Sequence, residues 1–237
     1  MLRQNLAPAA VEFGLTWYIG VVKSPLKWAL IFLLAFVLFT IPVALGLFTG
    51  LDQNTTITLQ NFFAVSFDTP LSFFSLLGSF ELTTIILVFI LARLGLKKSL
   101  VILTIFFLGI GLELLGKIFL FHPGPPSLFF RYNLGFYFPS GIVQTGHSYP
   151  SGHSYRTAFL TLILAYLIAG SKKLSPRTKT WFTFAVGLIL FVMLVSRISL
   201  GEHWTTDVVG GLLLGASFAS FSVYFIRTGF LAPNRVK

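Results

Sequence analysis

Two short runs hold the residues best suited to chemistry. Residues 196–207 read Ser-Arg-Ile-Ser-Leu-Gly-Glu-His-Trp-Thr-Thr-Asp, and residues 149–154 read Tyr-Pro-Ser-Gly-His-Ser. In the first run His203 and Asp207 stand four apart at the expected start of a helix, so they share a face. An aspartate in that position accepts a hydrogen bond from one ring nitrogen. This fixes the tautomer and leaves the other nitrogen free to attack. Arg197 can fork two hydrogen bonds onto phosphate oxygens. The second run opens another helix, and a helix start presents unpaired N–H groups and a partial positive charge to an anion. Gly152 lets the backbone come close, Ser151 adds a hydroxyl, and His153 can give a proton to a leaving oxygen. Lys117 sits inside an apolar segment, where a cation is costly. It needs an anion, either Glu113 one turn earlier or a substrate phosphate. Together these residue types suit transfer of a phosphoryl group through a histidine.

The elements that must position them are membrane helices. The chain has 237 residues, 55 % hydrophobic and 10 % charged, with 28 phenylalanines. A soluble domain would carry roughly 25 % charge. Six apolar segments are long enough to cross a bilayer, at residues 28–47, 71–91, 100–121, 155–169, 181–200 and 208–226. The expected fold is all-α, a single polytopic domain over residues 1–237 built as a bundle of six transmembrane helices. Residues 1–27 form an N-terminal segment without a cleavable signal pattern, and residues 11–22 are expected to lie along the interface. Residues 50–70 read as a polar outer loop, and residues 122–154, rich in Pro, Gly and aromatics, as an ordered outer loop over the site. Gly211 and Gly215, with Gly210 beside them, mark close helix packing.

The net charge of +10 would suggest nucleic acid in a soluble protein. Here Lys and Arg gather before segment 1, between segments 2 and 3, between 4 and 5, and after 6, which the positive-inside rule makes cytoplasmic. Both termini then face the cytoplasm. The exceptions are Lys117, Arg131, Arg156 and Arg197, and all four histidines join them at the opposite, extracytoplasmic face. No stretch suits nucleic acid. With no cysteine there is no thiolate metal site, disulfide or thiol chemistry, and no other residues look like a metal site.

Pro-Ser-Gly-His at 150–153, followed by Ser-Arg-x5-His-x3-Asp at 196–207 with a lysine upstream, resembles the type-2 phosphatidate phosphatase superfamily. Its bacterial branch includes undecaprenyl-pyrophosphate and phosphatidylglycerophosphate phosphatases. The resemblance covers Lys117 to Asp207. It implies a membrane-embedded lipid phosphatase of the bacterial cytoplasmic membrane, needing no metal or other cofactor. His203 would be the nucleophile that becomes a phosphohistidine, Asp207 would orient it, and His153 would protonate the leaving oxygen and then activate water. Lys117, Ser151, Gly152 and Arg197 would bind the phosphate oxygens. An undecaprenyl or other polyprenyl diphosphate is the first substrate expected, ahead of phosphatidylglycerol phosphate and phosphatidate.

The chain departs from the family at one position. The first family motif, K-x6-R-P, here has Gly124 where the arginine belongs. A lost charge-assisted contact costs about 1.5–3 kcal/mol. Arg131, free of other duties, is the first candidate to replace it, with His122 and Arg156 as alternatives. His147 is read as structural, and Lys117 with Glu113 has a competing reading as a buried ion pair that ties helices together. Three rival functions remain. A phosphotransferase would use the same histidine, and a degenerate relative would bind lipid phosphate without turnover. A transporter is disfavoured because the polar residues gather at one face and no helix reads as broken near the midplane.

Overall fold

The structure is a computed structural model that describes residues 24–142 and 146–228. Every regular element among them is helical. The order is α1 (Pro25–Ala44), α2 (Thr49–Phe62), α3 (Asp68–Ser75), α4 (Phe80–Leu91), α5 (Leu96–Phe119), α6 (Pro139–Ile142), α7 (Gly152–Gly170), α8 (Pro176–Ser199) and α9 (Thr205–Arg227). Short 3-10 turns flank α3 at Val65–Phe67 and Leu76–Gly78, and another forms at Ser127–Phe129.

Helices α1, α5, α8 and α9 are each long and apolar enough to cross a membrane. Only 17 % of the apolar window of α1 is buried, against 56 % of that of α9, so α9 forms the axis and α1 stands at the rim. The outward residues of α1 and α8, such as Leu34, Leu38, Trp181 and Phe191, are large and apolar, as a lipid-facing surface requires. The segment Val65–Gly78 and helix α4 together pass as one more span bent by 53°. Helix α7 is less apolar than these spans and is buried on most of its faces, sheltered by α9 and α8. Gly211 and Gly215 let α9 cross α7 closely, because a Cβ on them would lie 2.2 Å from the Ser151 carbonyl and 2.4 Å from that of Tyr155.

Two sequence expectations change. The polar stretch 50–70 is not a loop: most of it is α2, which buries Asp52 and Thr56 and turns Leu51, Ile57 and Phe62 outward. Its alternation was hidden because the buried side is polar. The segment 71–91 is not one straight helix. It breaks at Ser79, whose backbone is extended and whose hydroxyl accepts from Leu82 N at 3.3 Å to start α4. The span expected at residues 71–91 is thus bent by 53° at this point. The physical reason lies at the site, where a Cβ on Gly78 would stand 2.9 Å from His153 Cβ and where the freed Gly78 carbonyl accepts from Arg156 Nε at 2.9 Å. The interfacial segment expected at residues 11–22 lies outside the described residues.

Candidate active site

The end of α5, the start of α7, the end of α8 and the start of α9 meet. Ser151 N donates to the Asp207 carbonyl at 3.0 Å, which fastens the two motif runs to each other. Ser151 caps α7, its hydroxyl accepting from Ser154 N at 3.4 Å, so the N–H groups of Gly152 and His153 head the helix.

His203 lies in the short turn between α8 and α9, and Asp207 in the first turn of α9. Asp207 Oδ2 is 3.2 Å from His203 Nδ1 and accepts from Trp204 N at 3.0 Å. A carboxylate only accepts, so the His203 proton sits on Nδ1 and Nε2 keeps its lone pair. Burial, reinforced by the nearby charges of Arg197, Lys117 and Arg156, holds His203 well below the usual histidine pKa. It is therefore uncharged at neutral pH. The turn is held by Gly201 at φ +64, a conformation other residues resist, with the Phe129 carbonyl packed where a Cβ would be.

Three cations surround the histidines. Lys117 Nζ is 2.8 Å from Glu113 Oε1, so the buried ion pair weighed in the sequence is formed. Arg156 Nη1 is 3.6 Å from the same carboxylate, and its Nη2 is 3.5 Å from His153 Nδ1. Arg197 Nη1 bonds Glu202 and the Ser75 hydroxyl, while its Nε, buried in a residue only 4 % exposed, has no partner among the described residues. A buried N–H left over is a donor waiting for an acceptor.

The candidates for the missing arginine separate clearly. Arg131, expected to be free, is not. Its guanidinium pairs with Asp68 at 2.8 Å and donates to the carbonyls of Gln60 at 3.0 Å and Phe63 at 3.2 Å, tying the outer loop to the end of α2. His122 lies behind Asp207, with Nε2 3.3 Å from Asp207 Oδ1 and 3.2 Å from the Thr206 hydroxyl. Arg156 alone of the three touches His153. His147 packs edge-on against the Phe121 ring at 5.2 Å. Glu81 accepts from Ser140 N and Oγ, each at 2.8 Å, and so pins the start of α6.

The described part of the segment between α5 and α7 is tied to the candidate site. Trp204 Nε1 donates to the Pro123 carbonyl at 2.8 Å, Arg131 N to that of Leu200 at 2.9 Å, and Gln60 Nε2 bridges the carbonyls of Phe129 and Ser199. Sequence reasoning missed Asp52, Ser75, Gly78 and Thr206. Asp52 and Ser75 come from helices distant in the chain, Gly78 acts through a backbone carbonyl, and Thr206 stands beside Asp207 but its partner Asp52 lies on another helix.

Residues 97–230, more than half the chain, match the pattern described as the PAP2 superfamily. This chain belongs to the PAP2 superfamily. It is 31 % identical over 89 residues to phosphatidylglycerophosphatase B of Bacillus subtilis, covering 38 % of this chain and 41 % of that protein. It is 36 % identical over 88 residues to an undecaprenyl-diphosphatase of Sulfolobus acidocaldarius, covering 36 % of each. The shared stretches thus span well under half the length of either relative. The PAP2 fold is seen over a wider range. The crystal structure of a transmembrane PAP2-type phosphatidylglycerolphosphate phosphatase from Bacillus subtilis superposes with a TM-score of 0.68 at 19 % identity, covering 88 % of this chain and 98 % of that one.

Proposed function

We propose that this PAP2 protein hydrolyses the terminal phosphate of a membrane lipid phosphate or diphosphate through a phosphohistidine on His203. The observation that carries the reading is the His203 Nδ1–Asp207 Oδ2 contact of 3.2 Å, which leaves Nε2 free beside His153 and three cations. His203 Nε2 attacks phosphorus, the bond to the leaving oxygen breaks, and His153 gives that oxygen a proton. Water then attacks the phosphohistidine, His153 takes the water proton, and inorganic phosphate leaves. Lys117, Arg197, Ser151 and the Gly152 backbone hold the phosphate oxygens, and Arg156 supplies the charge missing at Gly124. The two relatives named above support a polyprenyl diphosphate or phosphatidylglycerol phosphate as substrate, with the polyprenyl diphosphate preferred.

Six spans follow if the bent pair Val65–Leu91 and helix α7 each count as one, with both termini cytoplasmic and the site outside. The support is the clustering of Lys and Arg at the connections remote from the site. The chain lacks cysteine, so single cysteines report topology cleanly. A cysteine at Ser140 should react with an impermeant maleimide in intact cells and one at Ser99 should not; the reverse pattern would refute this orientation.

The test of activity is phosphate release by purified protein in detergent with EDTA. Undecaprenyl diphosphate, phosphatidylglycerol phosphate and phosphatidate are offered in parallel. Release is expected, fastest from undecaprenyl diphosphate, and Arg156→Ala should raise KM about tenfold or more through the lost charge-assisted contact. No release from any lipid, with label passing instead to an added lipid or sugar acceptor, would replace hydrolysis by phosphotransfer. An unchanged KM in Arg156→Ala would remove that residue from the phosphate site.

A further inference from the structure

Behind Asp207, on the side away from His203, lies a second polar chain. Asp52, 1 % exposed, reaches across from α2. Its Oδ1 accepts from Thr206 N at 2.9 Å and its Oδ2 from the Thr206 hydroxyl at 2.8 Å. The Thr206 oxygen in turn lies 3.2 Å from His122 Nε2, which is 3.3 Å from Asp207 Oδ1 and 4.0 Å from Asp52 Oδ2. No element of the proposed mechanism uses this chain.

The Thr206 hydroxyl donates to Asp52, which sets the direction along the chain. A carboxylate can only accept, so the single Thr206 hydroxyl proton points at Asp52. The hydroxyl oxygen must then accept from His122, and the His122 proton is on Nε2. Asp207 Oδ1 lies 3.3 Å from the same nitrogen and takes no hydrogen bond among the described residues, so the N–H acts on it through its charge. Burial keeps His122 below the ordinary histidine pKa, so one ring proton is present at neutral pH and its location matters. An N–H at 3.3 Å attracts the Asp207 carboxylate, whereas a lone pair in the same place would repel it.

We infer that Asp52 and His122 are positioning residues. Acting through Thr206, Asp52 sets the His122 tautomer so that an N–H steadies the outer oxygen of Asp207, and Asp207 in turn holds His203 for attack. This rests on the reading of His203 as nucleophile given above. A partner that orients a catalytic group through a single contact contributes on the order of tenfold, about the worth of one hydrogen bond.

Asp52→Asn tests it with almost no change of shape. The Thr206 backbone N–H keeps the asparagine oxygen opposite it, so the amide nitrogen must face the Thr206 hydroxyl. The hydroxyl then turns its proton to His122, and the ring proton moves to Nδ1. The probe is 15N-histidine NMR of the protein in detergent, read beside first-turnover phosphoenzyme formation. Wild type should show His122 protonated on Nε2 and His203 on Nδ1. Asp52→Asn should move His122 to Nδ1 and slow kcat about tenfold with KM unchanged. In a His122→Leu background Asp52→Asn should have no further effect, because the relay is already broken. A purely structural tie would leave the tautomer in place and give additive losses, and that result would overturn the inference, as would a wild-type His122 protonated on Nδ1. If the tautomers behave as expected but wild type forms no phosphoenzyme, the reading of His203 fails and the relay stands.

Discussion

His203→Ala is expected to abolish phosphoenzyme formation and to lower phosphate release by about 10⁴-fold or more, since a covalent nucleophile has no substitute nearby. The expectation rests on the orientation of the imidazole. Its Nδ1 faces Asp207 Oδ2 at 3.2 Å, and that carboxylate oxygen is itself fixed by Trp204 N. The pH dependence has a definite sign. The attacking species is the neutral ring, and protonation removes its lone pair. Burial and the surrounding cations push the His203 pKa well below the ordinary range. Phosphoenzyme formation should therefore stay level as pH falls from neutral through about 6.5, the unperturbed histidine value, and decline only well below it. Rapid-quench trapping of labelled protein across pH measures this directly. Stoichiometric labelling of His203→Ala, or an acid limb above the ordinary histidine value, would sink the assignment.

His153→Gln should separate the two halves of the reaction. Arg156 has only donors, so the His153 Nδ1 that faces it at 3.5 Å accepts, and the ring proton sits on Nε2. As general acid His153 needs a second proton, taken up from solvent on Nδ1 as the phosphate anion draws Arg156 away. Giving its Nε2 proton to the leaving oxygen then returns a neutral ring and not an imidazolate. Without that proton, a lipid alkoxide or phosphate must depart unprotonated, and the first turnover should slow by about 10²- to 10⁴-fold. A nitrophenyl phosphate, whose leaving oxygen needs no proton, should suffer much less in that step. Under the proposed mechanism His153 also activates water, so the variant should then accumulate phosphohistidine that wild type clears. Equal losses for both leaving groups, with no accumulation, would mean that His153 only positions the phosphate.

The competing charges at the site bear on both results. Lys117 and Arg156 share Glu113, and Arg197 shares Glu202 with Ser75. These carboxylates keep two buried cations and the half-buried Lys117 tolerable without substrate, where an unpaired charge would be costly. An arriving phosphate meets donors that the carboxylates have not exhausted, as Arg197 Nε, without a partner among the described residues, makes plain.

The sequence by itself determined what depends on neighbours along the chain. The four-residue spacing of His203 and Asp207 becomes a contact because a helical turn brings such residues together. The glycines of α9 were legible as packing surface, and four spans as long apolar runs. Tertiary structure alone decided what depends on residues far apart. Arg131 looked free until Asp68, 63 positions earlier, took its guanidinium. His122 was only an alternative replacement for the missing arginine until folding set it behind Asp207. Asp52 looked like part of a polar loop until α2 carried it to Thr206, 154 positions away. The break at Ser79 belongs to the same group, since the apolar run through it reads as continuous. It opens because His153 and Arg156 need Gly78 and its carbonyl close at hand. A hydrogen bond or an ion pair is specified by distance in space, and for partners this far apart only the packing of the helices fixes that distance.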